Sequence, residues 1–267
     1  MVAAAGGAIR SRPIRDFYNS HSKAFFLNRA TVEFVRPGLT IAVQSAAIAS
    51  DGTITAAYTV SDPSGLPLDM AGVTTPGTIS LNFLAASIPK GEEQYVSYIT
   101  RAATGAVIPA TSQPAADSGG ATVQAGPGQY TYTFNTKAAG FDPAATNTIG
   151  IYGSRNLTVY NLGTNYASTT FNFVPNGSPV VTTRDVIRDV SCDRCHDQLS
   201  FHGGSRRGIA LCVMCHTPQN VDPNTGNSLD LKVMAHKIHM GSSLPSVIAA
   251  PPIESWDFRT ASTIFQR

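Results

Sequence analysis

The chain has 267 residues, 42% of them hydrophobic and only 13% charged, with a formal net charge of +2. Such a composition supports a sizeable buried core and excludes a disordered, solvating chain. A charge this near zero offers no field for nucleic acid or an anionic lipid surface, and no apolar run approaches the roughly 18–20 residues that span a bilayer.

The N-terminus, "MVAAAGGAIRSRPIRDFYNS", has no basic region leading into an apolar one, so no export signal is visible in this sequence. Residues 1–38 read as a lead-in segment, with "DFYNSHSKAFFLNRATVEFV" expected as a short helix followed by a strand. From Leu39 the texture becomes that of strands. "LTIAVQSAAIASDGTITAAYTVSDPSG" predicts a hairpin turning at Asp51-Gly52, with Ile54, Ala56, Tyr58 and Val60 on one face. "TISLNFLAASIP", the shorter "YVSYITRA", "QYTYTFNT", "TNTIGIYG" and "STTFNFVP" repeat the period of two that half-buried strands require. Thr104–Gly128 is poor in large apolar residues and reads as a long exposed loop. The expectation for 39–183 is therefore a mostly β domain, an Ig-like or Greek-key sandwich or a split barrel. "VPNGSPVVTTRD" reads as a linker that closes it, with a boundary near residue 183.

Beyond that boundary the composition changes. All four cysteines and five of the six histidines lie after residue 190. Residues 184–267 are expected as a loop-rich segment with short helices. One of these runs through "NSLDLKVMAHKIHMG", with Ser228 as N-cap, Asp230 in the first turn and a stop at Gly241. Leu231, Met234 and Ile238 form its apolar stripe. With so few other large apolar side chains, this segment calls for something non-peptidic as its core.

The cysteines fall in two C-x-x-C pairs, Cys192/Cys195 and Cys212/Cys215, a spacing that a four-thiolate zinc site or disulfides would also accept. Each pair, however, is followed directly by histidine: His196 and His216. C-x-x-C-H is the attachment sequence of haem c. Its two thiols add across the two porphyrin vinyl groups, and the next residue offers an imidazole to the iron as proximal ligand. Zinc needs no histidine there, and composition alone would put one after both pairs roughly once in two thousand chains. Two six-coordinate haems need two further ligands, for which His202, His236 and His239 are the distal candidates; Met234 and Met240 are rivals. His236 and His239, three apart on the helix, project to one side and suit two different irons rather than one. Arg206 and Arg207 read equally as partners of haem propionates or as a solvated pair, "DPNTGN" as a turn, and His21 as a surface histidine.

A β-domain running into "RDVIRDVSCDRCHDQLSFHGGSRRGIALCVMCHTPQNVDPNTGNSLDLKVMAHKIHMGSSLPSV" resembles the outer-membrane multihaem (decahaem) c-type cytochromes of the OmcA/MtrC family. "IASDGTITAAYTVSDPSGLPLD" and "GIYGSRNLTVYNLGTNYASTTFNFVP" resemble the family's N-terminal domain. The resemblance implies covalent haem c at both cysteine pairs, His196 and His216 as proximal ligands, and distal ligands among His202, His236 and His239. It also implies export to the periplasm, outer membrane or cell surface. Implied partners are periplasmic or outer-membrane cytochromes, a porin complex, and extracellular electron acceptors such as metal oxides or flavins. With two attachment sites before Arg267, the chain reads as an N-terminal piece of such a protein.

Three functions compete at this point: an electron carrier with both irons closed, a haem reductase or peroxidase with one open axial position, and a zinc-stabilised β-type binding module. The supply of histidines favours the carrier over an enzyme.

Overall fold

The computed structural model describes residues 18–243. Where a lead-in strand was expected, the chain forms helix α1, Arg29–Val35. Its β-branched residues argue for a strand, but the ends decide otherwise. The Asn28 side chain accepts from Thr31 N, and Arg36 closes the helix in the left-handed conformation, its N–H donating to Val32 O. Val32 and Val35, one turn apart, are buried.

The hairpin expected at Asp51-Gly52 is present, β1 (Thr40–Ile48) pairing antiparallel with β2 (Ile54–Ser61). Strand β3 (Ile79–Ile88) follows, then the short β4 (Val96–Ser97) and β5 (Thr100–Ala103). The predicted long loop at Thr104–Gly128 is largely ordered instead. β6 (Thr111–Pro114) closes a hairpin with β5, and β7 (Ala121–Gly126) pairs with β8 (Gln129–Thr133). β9 (Thr146–Asn156) and β10 (Thr164–Phe173) complete the domain. Two four-stranded antiparallel sheets result, in the orders β1-β2-β8-β7 and β10-β9-β3-β4. Between them lie Ile54, Tyr58, Val60, Phe83, Tyr130, Tyr132, Phe134, Ile149 and Ile151, with the Phe83 and Tyr132 rings stacked at 3.7 Å. This is the mostly β, antiparallel fold that the periodicity predicts.

β9 departs from simple alternation. Every residue from Thr146 to Gly153 is buried, so the strand is covered on both faces. Its outer cover comes from the C-terminal segment. Ile209, Leu211, Val213 and Met214 form a second apolar cluster with Leu84, Ala86, Ile88, Tyr95 and Tyr152. The segment thus borrows apolar surface from the sheet, a peptide contribution to its core that was not expected from its own composition. The approach is close. A Cβ at Gly150 would lie 2.7 Å from Met214 Sδ and 2.9 Å from Leu211 Cδ1.

At the other end of β9, Arg155 is wholly buried. Its guanidinium donates to the carbonyls of Val35, Arg36, Gly38 and Pro76 and so fastens the C-terminus of α1 to the sheet. Burial, then the nearby Arg36, pull its pKa down to about 10, which leaves it charged at neutral pH. Replacing Arg155 by Met would orphan the buried carbonyl of Val35 and the half-buried ones of Arg36, Gly38 and Pro76. The expected cost is about 3 kcal/mol or more of unfolding free energy, read from the denaturant midpoint of the whole chain.

Candidate functional site

Both cysteine motifs fold as a single helical turn. In the first, α2 (Asp189–Cys192) runs into Cys195 and His196, whose N–H groups donate to Cys192 O at 3.1 and 3.0 Å. In the second, α3 (Ile209–Cys212) runs into Cys215 and His216, whose N–H groups donate to Cys212 O at 3.1 and 2.9 Å. The two turns therefore share one geometry, with the sulfurs a turn apart and the histidine following. The second is set down on the outer face of β9 and β3, while the first is more exposed, Cys195 and His196 lying at the surface. Asp189 joins them, its Oδ1 accepting from Ile209 N at 2.6 Å.

Between the turns, β11 (Ser200–Phe201) and β12 (Arg206–Arg207) form a small hairpin. His202 opens its turn in the left-handed region, at φ 53°, a state uncommon outside glycine that histidine enters more readily than most residues. The hairpin is held on the β-domain by cation–π contacts. Arg206 lies over the Tyr152 ring at 5.0 Å and donates to its hydroxyl, and Arg207 lies over Tyr166 at 5.3 Å. These arginines are thus half-buried and stacked rather than a solvated pair, and Arg206 Nε is buried without a hydrogen-bond acceptor.

Helix α4 (Leu231–Met240) ends at Gly241 as expected, but its N-cap is Asp230, whose carboxylate accepts from Lys232 N and Val233 N. Ser228 stands two residues back and accepts from Asp230 N. No residue of α4 is fully buried. Of its stripe, Leu231 packs against the second apolar cluster, Met234 is half-buried and Ile238 is exposed, as are Val233 and Met240. "DPNTGN" is the expected turn, with Asp222 accepting from Asn224 N and Thr225 Oγ1.

The histidines gather in two pairs. The His196 and His239 ring centroids are 6.3 Å apart with planes at 83°, and those of His202 and His216 are 6.1 Å apart at 28°. His236, exposed on α4, enters neither pair, and His21 is exposed far away. Two backbone carbonyls orient one ring of each pair. Leu229 O lies 2.9 Å from His216 Nδ1, and Ala235 O lies 2.7 Å from His239 Nδ1. A carbonyl only accepts, so Nδ1 carries the proton in both rings and Nε2 keeps its lone pair. Burial, then Arg206 and His216, hold His202 down to about 4, and burial lowers His216 as well. Both rings are neutral donors at pH 7.

These residues fit a haem c better than a zinc ion. Two imidazole nitrogens about 2 Å from a shared metal would put the ring centroids roughly 6 Å apart, as both pairs are. Burial pushes the Cys212 thiol up to about 11, with Asp189 adding to it, and burial also raises Cys215 and Cys192. That setting opposes thiolates but suits neutral thioether sulfur. No disulfide joins the four cysteines. Among the described residues, no three His, Cys, Asp or Glu side chains converge as on a metal ion.

Residues 184–260 match the family model of the outer membrane cytochrome MtrC/MtrF-like proteins, domains II/IV. The matched stretch contains both C-x-x-C-H turns and helix α4. Two solved structures share the fold of the larger part of the chain. The outer membrane decahaem cytochrome OmcA aligns with a TM-score of 0.64 and 23% identity, over 77% of this chain and 33% of that one. MtrC from Shewanella baltica OS185 aligns with a TM-score of 0.56 and 19% identity, over 83% of this chain and 36% of that one. The chain thus spans about a third of the length of either relative. No curated protein matches it.

The sequence reading missed Asp189 as the link between the turns and the carbonyls of Leu229 and Ala235 as orienting groups. Only Asp189 left a trace, as a helix-favoured acid just ahead of a C-x-x-C. The dependence of residues 209–214 on β9 makes Gly150→Val a sharp probe. Its methyls would strike Met214 and Leu211, and overpacking of this kind costs about 1–3 kcal/mol. Hydrogen exchange should show the amides of Val213 and Met214 losing protection more than those of β2.

Proposed function

We propose that the chain is an exported electron carrier with haem c attached at Cys192/Cys195 and at Cys212/Cys215. His196 and His239 are the axial ligands of the first site, and His216 and His202 those of the second. The observation that carries this reading is the presence of two imidazole pairs, each spaced for one metal and each including the histidine of one C-x-x-C-H turn. A haem held there supplies a one-electron ferric/ferrous couple. The chain's own groups do the rest. The carbonyls of Leu229 and Ala235 keep the His216 and His239 rings turned to ligate through Nε2. Asp189 fixes one attachment turn against the other, and the outer face of β9 shields the second site from water. The chain would supply two imidazoles to each haem iron, which favours a carrier over a reductase or peroxidase that needs an open position. By likeness to the outer-membrane cytochromes, its partners are other outer-membrane or periplasmic cytochromes and a porin complex, and its electrons go on to metal oxides or soluble acceptors outside the cell.

The test is the matured, full-length chain. A pyridine haemochrome assay should give two haem c per chain, one for each C-x-x-C-H. The ferric protein should show two low-spin electron paramagnetic resonance signals. Planes at 83° leave the two π-bonding iron d orbitals nearly degenerate and give a highly anisotropic signal, while planes at 28° split them and give a rhombic one. His239→Ala should abolish the first and spare the second. A colourless folded protein, or high-spin ferric iron at both sites, would sink the reading.

The two sites should also differ in potential. The second is more buried and lies beside the Arg206 guanidinium, and both features disfavour the more positive ferric state. Arg206→Gln should lower one midpoint potential by tens of millivolts, on the order of 1–2 kcal/mol for a partly buried charge, and leave the other nearly unmoved in a spectroelectrochemical titration.

A further inference from the structure

The β5–β6 hairpin is a feature that the proposed function does not use. It reaches out of the sandwich and grips the C-terminal segment at residues 221–224. Val107 N and Ile108 N both donate to Pro223 O, at 3.1 and 2.8 Å. Ala106 N donates to Asn224 Oδ1 at 3.4 Å, and Gln113 Nε2 donates to Val221 O at 2.9 Å. Gly105 permits the grip, because a Cβ there would fall on the Pro223 carbonyl and within 2.6 Å of Asn224 N.

The gripped stretch connects two of the four ligand histidines. Val221 bridges Ser228, and Asp222 N donates to Asn227 O at 2.8 Å, so residues 221–228 close a compact loop. Lys237 of α4 donates to Asn227 Oδ1 at 3.1 Å. On one side of the loop Asn220 donates to Cys215 O at 2.9 Å and accepts from Leu229 N at 2.8 Å. On the other, Leu229 O holds the His216 ring, Leu231 N donates to His216 O, and Asp230 starts the helix that brings His239 to His196. A displacement of this loop would therefore reach the proximal ligand of one site and the distal ligand of the other.

We propose that the β5–β6 hairpin is a positioning clasp, which sets the axial histidines of both sites by holding residues 221–224 through Gly105, Val107, Ile108 and Gln113. The β-domain is then a working part of the coordination shell and more than a support beside it. α4 has no fully buried residue and meets the second apolar cluster through Leu231 at its first position, so the loop just ahead of it adds to the hold of the β-domain on the helix. This inference rests on haem being held as proposed above.

Carbon monoxide binding to the reduced, full-length, matured chain is the probe, because it reports how readily an axial histidine lets go. Wild type should bind the gas slowly. Gly105→Val should bind it about tenfold faster or more, as expected for the loss of several hydrogen bonds, and its ferric low-spin signals should broaden. Gln113→Ala removes one bond without crowding and should move both readouts the same way by about threefold. This milder variant decides the matter if Gly105→Val fails to fold. Unchanged binding rates and signals in Gln113→Ala, or in a folded Gly105→Val whose hairpin has become open to limited proteolysis near Val107, would overturn the clasp while leaving the electron-carrier reading intact. Wild type without covalent haem would overturn both.

Discussion

The contact between residues 209–214 and the outer face of β9 governs everything after the linker. A four-residue helical turn cannot hold its shape alone, and α3 has too few neighbours of its own to fix a cysteine pair and a histidine in space. Laid on the sheet, it acquires Leu84, Ala86, Ile88, Tyr95 and Tyr152 as its floor, and Gly150 lets it come close enough for Met214 to be almost wholly buried. The second C-x-x-C-H turn is anchored there, and the first is tied to it through Asp189. The turns are thus mounted on a strand buried on both faces.

The β-domain was legible because its strands are half-buried. Ile54, Ala56, Tyr58 and Val60 alternate because one face of β2 meets the core and the other does not. Where this condition fails, so did the reading. β7 is an edge strand whose side chains are nearly all exposed, so nothing in its sequence separates it from a loop. β9 is buried on both faces, so alternation gave its existence but not its second neighbour. α1 contains Thr31, Val32 and Val35, residues that favour strands, and local capping by Asn28 and Arg36 overrode them. At α4 two capping residues stood two apart, and the one whose carboxylate reaches two amides took the role.

The candidate site was legible in its composition and opaque in its pairing. C-x-x-C-H is a local signal, since all its groups lie on one helical turn. Which distal histidine faces which turn depends on where α4 and the β11–β12 hairpin come to rest, and that is decided by contacts over long stretches of chain: Arg206 on Tyr152, Arg207 on Tyr166, Pro223 under Val107. Spacing carries none of this. His202 could be suspected from its glycine-rich turn, but the left-handed backbone that aims it is a property of the folded hairpin.

On the proposed electron-carrier reading, the bond between Asp189 and Ile209 has a kinetic meaning. Tunnelling probability falls exponentially as two centres separate, so the slackest joint between them sets the spread of rates. Here a single charge-assisted hydrogen bond of 2.6 Å spans that joint directly. Holding the two turns together in this way would narrow the range of gaps across which charge has to hop.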